Sequence, residues 1–249
     1  MGRETSLSTC IRKASVSTSH PEYRKAKFLP ESDIDEILSV ERVRKTIAKC
    51  RKHENYSQVR RFRNSTANIE GDVETICNPQ NINQDEHSMV KSYRKIFIIL
   101  FLVQKASFIT WFIDKGICDD DLPLRLKSET GMKWPPVRRG GEPLPMEALS
   151  EGFFEKFIEK QWFVLAPCFR PSDEGAKDEP QELSEEHIPP FTSWRPIGKG
   201  GFGEVVEVRI HAGQHRFNDI SVCSFHSALF LSLSPAIDSL DYRIRGCLL

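Results

Sequence analysis

Hydrophobic positions recur at helical spacing over the first two thirds of the chain and alternate in a strand-like way only near its end. Residues 1–27 are rich in Ser, Thr, Lys and Arg with little apolar periodicity, and the composition predicts a disordered tail. From Phe28 the pattern changes. Pro30-Glu31-Ser32-Asp33-Ile34-Asp35 reads as a helix start, with Ser32 as N-cap, Asp35 three residues on, and acids facing the helix dipole. Ile34, Ile37 and Leu38 follow at helical spacing. A second helix is expected from Ser39 or Val40 through Val43 and Ile47, ending in the basic run 49–52. Residues 60–87 are polar and interrupted by Asn64-Ser65, Asn78-Pro79 and the asparagines of 81–83, which predicts a long loop with one short helix around Val73 and Ile76.

The most apolar stretch is 96–103, which resumes after Gln104-Lys105 and runs as far as Ile113. A membrane-spanning helix needs ~20 apolar residues, and a lysine at its centre costs ~2.5–3.5 kcal/mol. The pattern therefore predicts two buried helices of a globular domain, about 90–105 and 107–115, with Lys105 reaching to solvent and Gly116 as the stop. The competing reading is a membrane anchor over 96–113. Asp119-Asp120-Asp121 reads as a solvated turn: successive side chains diverge, and neither a glycine nor a distal Glu completes a calcium loop. No metal ligand is assigned. After the Pro/Gly-rich loop 134–145, which carries Arg138-Arg139, a short helix over 146–159 should present Leu149, Phe153, Phe154, Phe157 and Ile158. A buried segment, 161–167, then ends at a proline, and the aromatic density reads as core packing. Residues 171–187 hold seven acids against one lysine and form a linker by composition.

Composition sharpens this outline. At ~150 residues per domain, 249 residues make one or two domains. The 39% of hydrophobic residues lies below the ~45–50% of an average globular chain, so part of the protein should be unfolded. Lys+Arg and Asp+Glu both number 35, and a net charge of zero supplies no field for nucleic acid or anionic membrane. The seven cysteines are scattered and never spaced C-x-x-C, which argues against a zinc site or a secreted disulfide framework and for reduced thiols. Residues 1–6 fit the loose M-G-x-x-x-[ST] myristoylation pattern, but three constrained positions make a chance match the better reading. No apolar signal region follows. The expected location is intracellular, in cytoplasm or nucleus.

The chemistry-bearing stretch begins at Trp194. Gly198, Gly200 and Gly203 spell G-x-G-x-x-G, and Val205 extends it to G-x-G-x-x-G-x-V. In dinucleotide-binding folds such glycines open a helix. Here they lead into Glu204-Val205-Val206-Glu207-Val208-Arg209-Ile210, an alternating β-branched segment that reads as strand. A glycine loop between strands lets backbone approach a triphosphate where a Cβ would intrude, and lets the hairpin flex around the ligand.

Residues 188–218 resemble the start of a eukaryotic-type Ser/Thr protein kinase domain, with Pro189-Pro190-Phe191 leading into it. The upstream layout is similar to the N-terminal region of large fungal protein kinases, through Phe28-Leu29-Pro30, Asp119-Asp120-Asp121-Leu122-Pro123-Leu124 and Gln161-Trp162. The kinase resemblance implies an ATP site formed by Ile197, Gly198, Lys199, Gly200, Gly201, Phe202, Gly203 and Val205. Ile197 and Val205 would sandwich the adenine, Phe202 would cap the phosphates, and Glu204 would face solvent. Mg-ATP is the cofactor of the complete family, and the parent activity is phosphorylation of protein Ser/Thr.

The departures are equally specific. The family needs a V-A-I-K lysine on the next strand, yet Lys199 is the last lysine of these 249 residues. The H-R-D-x-x-x-x-N and D-F-G motifs are missing too, and His215-Arg216-Phe217 has Phe where the base belongs. No catalytic residue is assigned. From Ser221 the chain has six serines, no Glu and no Lys, and reads as non-native sequence of the kind an unspliced intron or a frameshift supplies; the alternative is a divergent C-terminus with its own helix. The expected architecture is therefore a disordered tail (1–27), a mainly α N-terminal domain (28–170), an acidic linker (171–187), a β-hairpin fragment of a kinase N-lobe (188–220) and a disordered or non-native tail (221–249). The expected function is that of a truncated kinase-domain protein, catalytically inactive, with weak or no ATP binding. The alternative is a non-catalytic interaction protein acting through its helices.

Overall fold

Helix ends leave amides and carbonyls that need partners, and in this chain those partners come from distant side chains. In the computed structural model the described residues are 5–53, 69–78, 91–126, 136–144, 150–169, 184–200, 203–216, 229–233 and 243–245. They are mainly α-helical, with antiparallel β-hairpins. The chain divides into two units, Met1–Lys13 with Ile34–Val164, and Ala14–Asp33 with Leu165–Leu249.

The first unit is built from helices α1 (Leu7–Ala14), α2 (Glu31–Ile37), α3 (Val40–His53), α4 (Ile69–Cys77), α5 (Arg94–Leu102), α6 (Ile109–Asp114) and α7 (Glu151–Gln161). Helix α3 begins at Val40, one of the two expected starts, and Ser39 Oγ accepts from the Arg42 amide, capping it. Helix α2 begins at Glu31, one residue before the expected cap, so Ser32 lies in its first turn. The Arg42 guanidinium donates to the Glu36 and Ile37 carbonyls at the end of α2. Arg94 does the same for the Ile76 and Cys77 carbonyls at the end of α4.

The apolar run 96–113 is broken in the middle. Gln104 takes a left-handed φ of 60°, and the Lys105 amide reaches back to the Leu100 carbonyl at 2.7 Å, a helix-terminating pattern. A 3-10 turn, Ala106–Phe108, leads into α6, which ends at Gly116 (φ 63°), where the sequence places the stop. Among the described residues no helix is long and apolar enough to cross a membrane. Ile96, Phe97, Ile98, Ile99 and Leu100 are all fully buried. Lys105 is half-buried with its ammonium 5.5 Å from the Phe108 ring, instead of extending freely into solvent. Phe153, Phe154 and Phe157 are buried as their spacing predicts, and Phe112 stacks on Phe157 at 5.4 Å.

The acidic run corrects the solvated-turn reading. Asp119 accepts from Ser92 Oγ (2.6 Å) and from the Lys95 (3.1 Å) and Ile96 (3.0 Å) amides, so it serves as a cap for α5 from 25 residues downstream of the helix start. Burial pushes its carboxyl above the ordinary aspartate pKa, and these hydrogen bonds oppose the shift. Asp121 accepts from the Cys118 amide and pairs with Arg138. A short hairpin pairs β3 (Arg125–Leu126) with β4 (Pro136–Val137).

The expected disordered tail over 1–27 is overturned for residues 5–27. Leu7 and Ile11 are buried on α1, and residues beyond it form β1 (Val16–Ser17), a 3-10 turn (Pro21–Tyr23) and, with Phe28, β2 (Lys27–Phe28). The few apolar residues suffice because their partners are remote in sequence. The expected domain limits shift accordingly: 28–33 and 165–169 fall in the second unit, and 1–13 joins the helical one. Most of the acidic linker, 170–183, lies outside the described residues, as do residues 145–149 and much of the 60–87 loop.

Replacing Leu100 by Asp removes a fully buried side chain and places a carboxylate in the core. We expect a loss of at least ~3 kcal/mol and a fall in Tm of roughly 6–12 °C or more, read by far-UV circular dichroism. An unchanged melt would show that 96–100 is not core.

Candidate functional site

Alternation of β-branched residues makes 203–210 a strand with one buried face. Strand β5 (Phe191–Gly200) pairs antiparallel with β6 (Gly203–Ile210), so the glycines run from strand into strand, and the helix of a dinucleotide-binding fold is absent from this position. Val206, Val208 and Ile210 are buried opposite Pro196, Trp194 and Phe191, while Val205 and Arg209 are exposed. Arg195 pairs with Glu207 on the exposed side, a surface contact of little energetic weight.

At the glycine end, Gly200 faces Gly203, Lys199 faces Glu204 and Gly198 faces Val205. Gly201 and Phe202 lie outside the described residues. A bulge interrupts the ladder between Pro196 and Gly198, making Ile197 the extra residue and re-aiming its side chain. Ile197 is 50% exposed and Val205 36%. The structure thus brings two uncovered apolar side chains beside one glycine. An added Cβ at Gly198 would meet nothing within 4 Å, and its φ lies outside the left-handed range. Neither packing nor backbone conformation within the described chain calls for glycine there.

Strand β7 (Leu229–Leu233) continues the sheet beside β6, and β8 (Arg243–Arg245) follows it, giving the order β5-β6-β7-β8. Within the expected disordered or non-native tail over 221–249, the described segments 229–233 and 243–245 are strands of this sheet. Val206 faces Leu231, and β7 reads Leu-Phe-Leu-Ser-Leu, with no cation.

The unit is closed by residues the sequence reading did not single out. Gln214, buried in the turn after β6, accepts from the Glu31 amide (2.8 Å) and donates to the Ala166 (2.7 Å) and Pro167 (3.3 Å) carbonyls. The Phe169 amide donates to the Gln214 carbonyl, and the Arg216 amide donates to that of Phe169. His20 sits edge-on to Trp194 at 4.3 Å between ring centroids, and Phe28 meets His211 at 5.9 Å. One signal could have flagged this segment: His20-Pro21-Glu22 carries a proline at the first helical position and an acid in the first turn.

No protein-family model matches this chain, and no curated protein or solved structure matches it either.

Two glycines should respond oppositely to alanine. At Gly213 a Cβ would lie 2.2 Å from Ser32 Oγ, 3.1 Å from Ser32 Cβ and 3.3 Å from Pro30 Cβ. The hydroxyl can rotate away, but the two carbons must shift. Gly213→Ala should cost ~1–3 kcal/mol, whereas Gly198→Ala should be neutral or stabilise by up to ~1 kcal/mol. Urea melts of the two variants check the contrast.

Proposed function

We propose that the 191–210 hairpin is a nucleotide-phosphate loop of the protein-kinase kind, and that these 249 residues hold nucleotide weakly and transfer no phosphate. One observation carries the reading. Gly198 is a glycine that neither its φ nor its neighbours require, and it lies between two uncovered apolar side chains, Ile197 and Val205. An absent Cβ leaves room for a ligand's oxygens against the backbone, and flanking apolar groups suit the flat face of a purine. Gly200 and Gly203 extend that bare backbone toward the hairpin tip.

The weakness of the site follows from what a kinase divides among many groups. Loop amides, a strand lysine, the hinge backbone and two magnesium ions held by Asp and Asn share the nucleotide. This sequence supplies the loop, while β7, the next strand of the sheet after β6, has no lysine to neutralise the α- and β-phosphates. No H-R-D base or D-F-G aspartate occurs in it either. Loop amides open to water must displace solvent and lose conformational freedom on binding. A dissociation constant in the millimolar range or weaker results, about −4 kcal/mol or less favourable.

Titration of the isotope-labelled chain with Mg-ATP should shift the amides around 197–205 with millimolar affinity. Gly198→Ala should weaken that response without lowering stability, and Gly200→Val should abolish it. A radiolabelled transfer assay on a generic protein substrate should stay at background. Shifts confined to other residues would overturn the binding reading; micromolar affinity or measurable transfer would overturn the weak and inactive character assigned to the site.

A further inference from the structure

The outer edge of β5 is covered by residues from near the start of the chain. Strand β5 is the edge strand of its sheet, and an uncovered edge offers unpaired amides and carbonyls to any passing strand. The Ser19 amide donates to the Phe191 carbonyl at 2.7 Å. The next residue, His20, is only 4% exposed and lies among three rings: Trp194 at 4.3 Å, Tyr23 at 5.0 Å and Phe191 at 6.3 Å. Its amide donates to Thr18 Oγ1. Its Nδ1 accepts from the Glu22 amide at 3.3 Å, which closes the 3-10 turn Pro21–Tyr23 and requires a lone pair on that nitrogen. A second tie lies alongside, where the Tyr23 hydroxyl donates to the Glu185 carbonyl at 2.6 Å.

We propose that Ala14–Asp33 is a proton-released clasp on the edge of the glycine-rich hairpin, with the neutral imidazole of His20 as its catch. Protonation would place a hydrogen on Nδ1, facing the Glu22 amide hydrogen, and would put a cation among aromatic rings with little access to water. Glu22, in the same turn, favours the cation. Glu185 and Glu186 act on the Tyr23 phenol, whose ionisation burial and all three carboxylates push upward, keeping it neutral through this range. The β5 residues against the ring, Phe191 and Trp194, do not titrate.

Burial lowers the His20 pKa from its ordinary 6.5, and Glu22 offsets only part of that. With the closed-state value depressed, the clasp holds fully above 6.5 and weakens as pH falls below it. Opening would bare the Phe191 carbonyl and loosen the strand that carries Gly198 and Gly200. This does not depend on nucleotide binding.

The test is amide exchange of Ser19 in the full chain, corrected for the intrinsic pH dependence of exchange, beside the His20→Phe variant. Phe keeps an aromatic ring and cannot take a proton. Between pH 7.5 and 5.0 the opening constant of the wild type should rise several-fold, with a ceiling of about 30-fold set by the ordinary histidine value. In His20→Phe the rise should vanish. All other residues are the same in both proteins, so only the difference between them counts. NMR titration of the His20 ring in the wild type gives the second measurement, with a midpoint below 6.5 expected. A flat wild-type response, an equal rise in His20→Phe, or a midpoint at or above 6.5 would overturn the proposal.

Discussion

Backbone groups buried outside regular ladders must find partners or cost free energy, and in this protein distant side chains supply them. Leu124 exchanges both of its backbone hydrogen bonds with the buried amide of Gln161, 37 residues away. Arg42 and Arg94 complete the carbonyl ends of α2 and α4, and Asp119 completes the amide end of α5. Short helices of 6 to 14 residues have little stability of their own. Tying their ends to one another's side chains fixes where each stops, and the apolar faces then meet in register. Arg51 and Asp72 are paired and almost fully buried, and Thr110 donates to the same carboxylate, so the buried charge of Asp72 is met by two donors.

The second unit applies the same rule to a sheet. A lone two-stranded hairpin is barely stable in water. The β5–β6 hairpin rests on more than its own ladder: β7 lies against one side, and the other edge accepts a bond from Ser19. Gln214 gathers the Glu31, Ala166 and Pro167 backbones into the turn after β6. The unit therefore draws on two stretches of chain separated by the helical segment 34–164, and its stability depends on contacts of long sequence separation.

This arrangement bears on the chemistry suggested for the glycine loop. The end of the hairpin that carries Ile197, Gly198 and Val205 stays uncovered, while its base, around Phe191 and Trp194, is enclosed by aromatic residues. A phosphate-covering loop of the proposed kind needs glycines that can yield on strands that keep their register. Strand β7 supplies no lysine for the phosphates that the proposed function would need to neutralise.

Local patterns were legible wherever the deciding physics is local. Ser39 before an amphipathic run, Gly116 after one, Phe153, Phe154 and Phe157 on one helix face, and β-branched alternation after the glycines all specify their own element, because a cap, a left-handed turn and a period of 3.6 or 2 act over a few residues. The glycine spacing that marks the candidate site belongs to this class. The helix boundary near Gln104-Lys105 was legible too, but the left-handed φ at Gln104 was not, since a non-glycine residue adopts it only where the surrounding packing compensates. Asp119 as a helix cap, Gln214 as a three-way tie and His20 under Trp194 were invisible for the same reason: each acts on a partner 20 or more residues away. Residues 5–27 show the difference most plainly. Their own composition predicts no core, and Leu7, Ile11, His20 and Phe28 are nonetheless buried, because burial is decided by the surface that tertiary folding brings to a side chain and not by the side chains next to it in sequence.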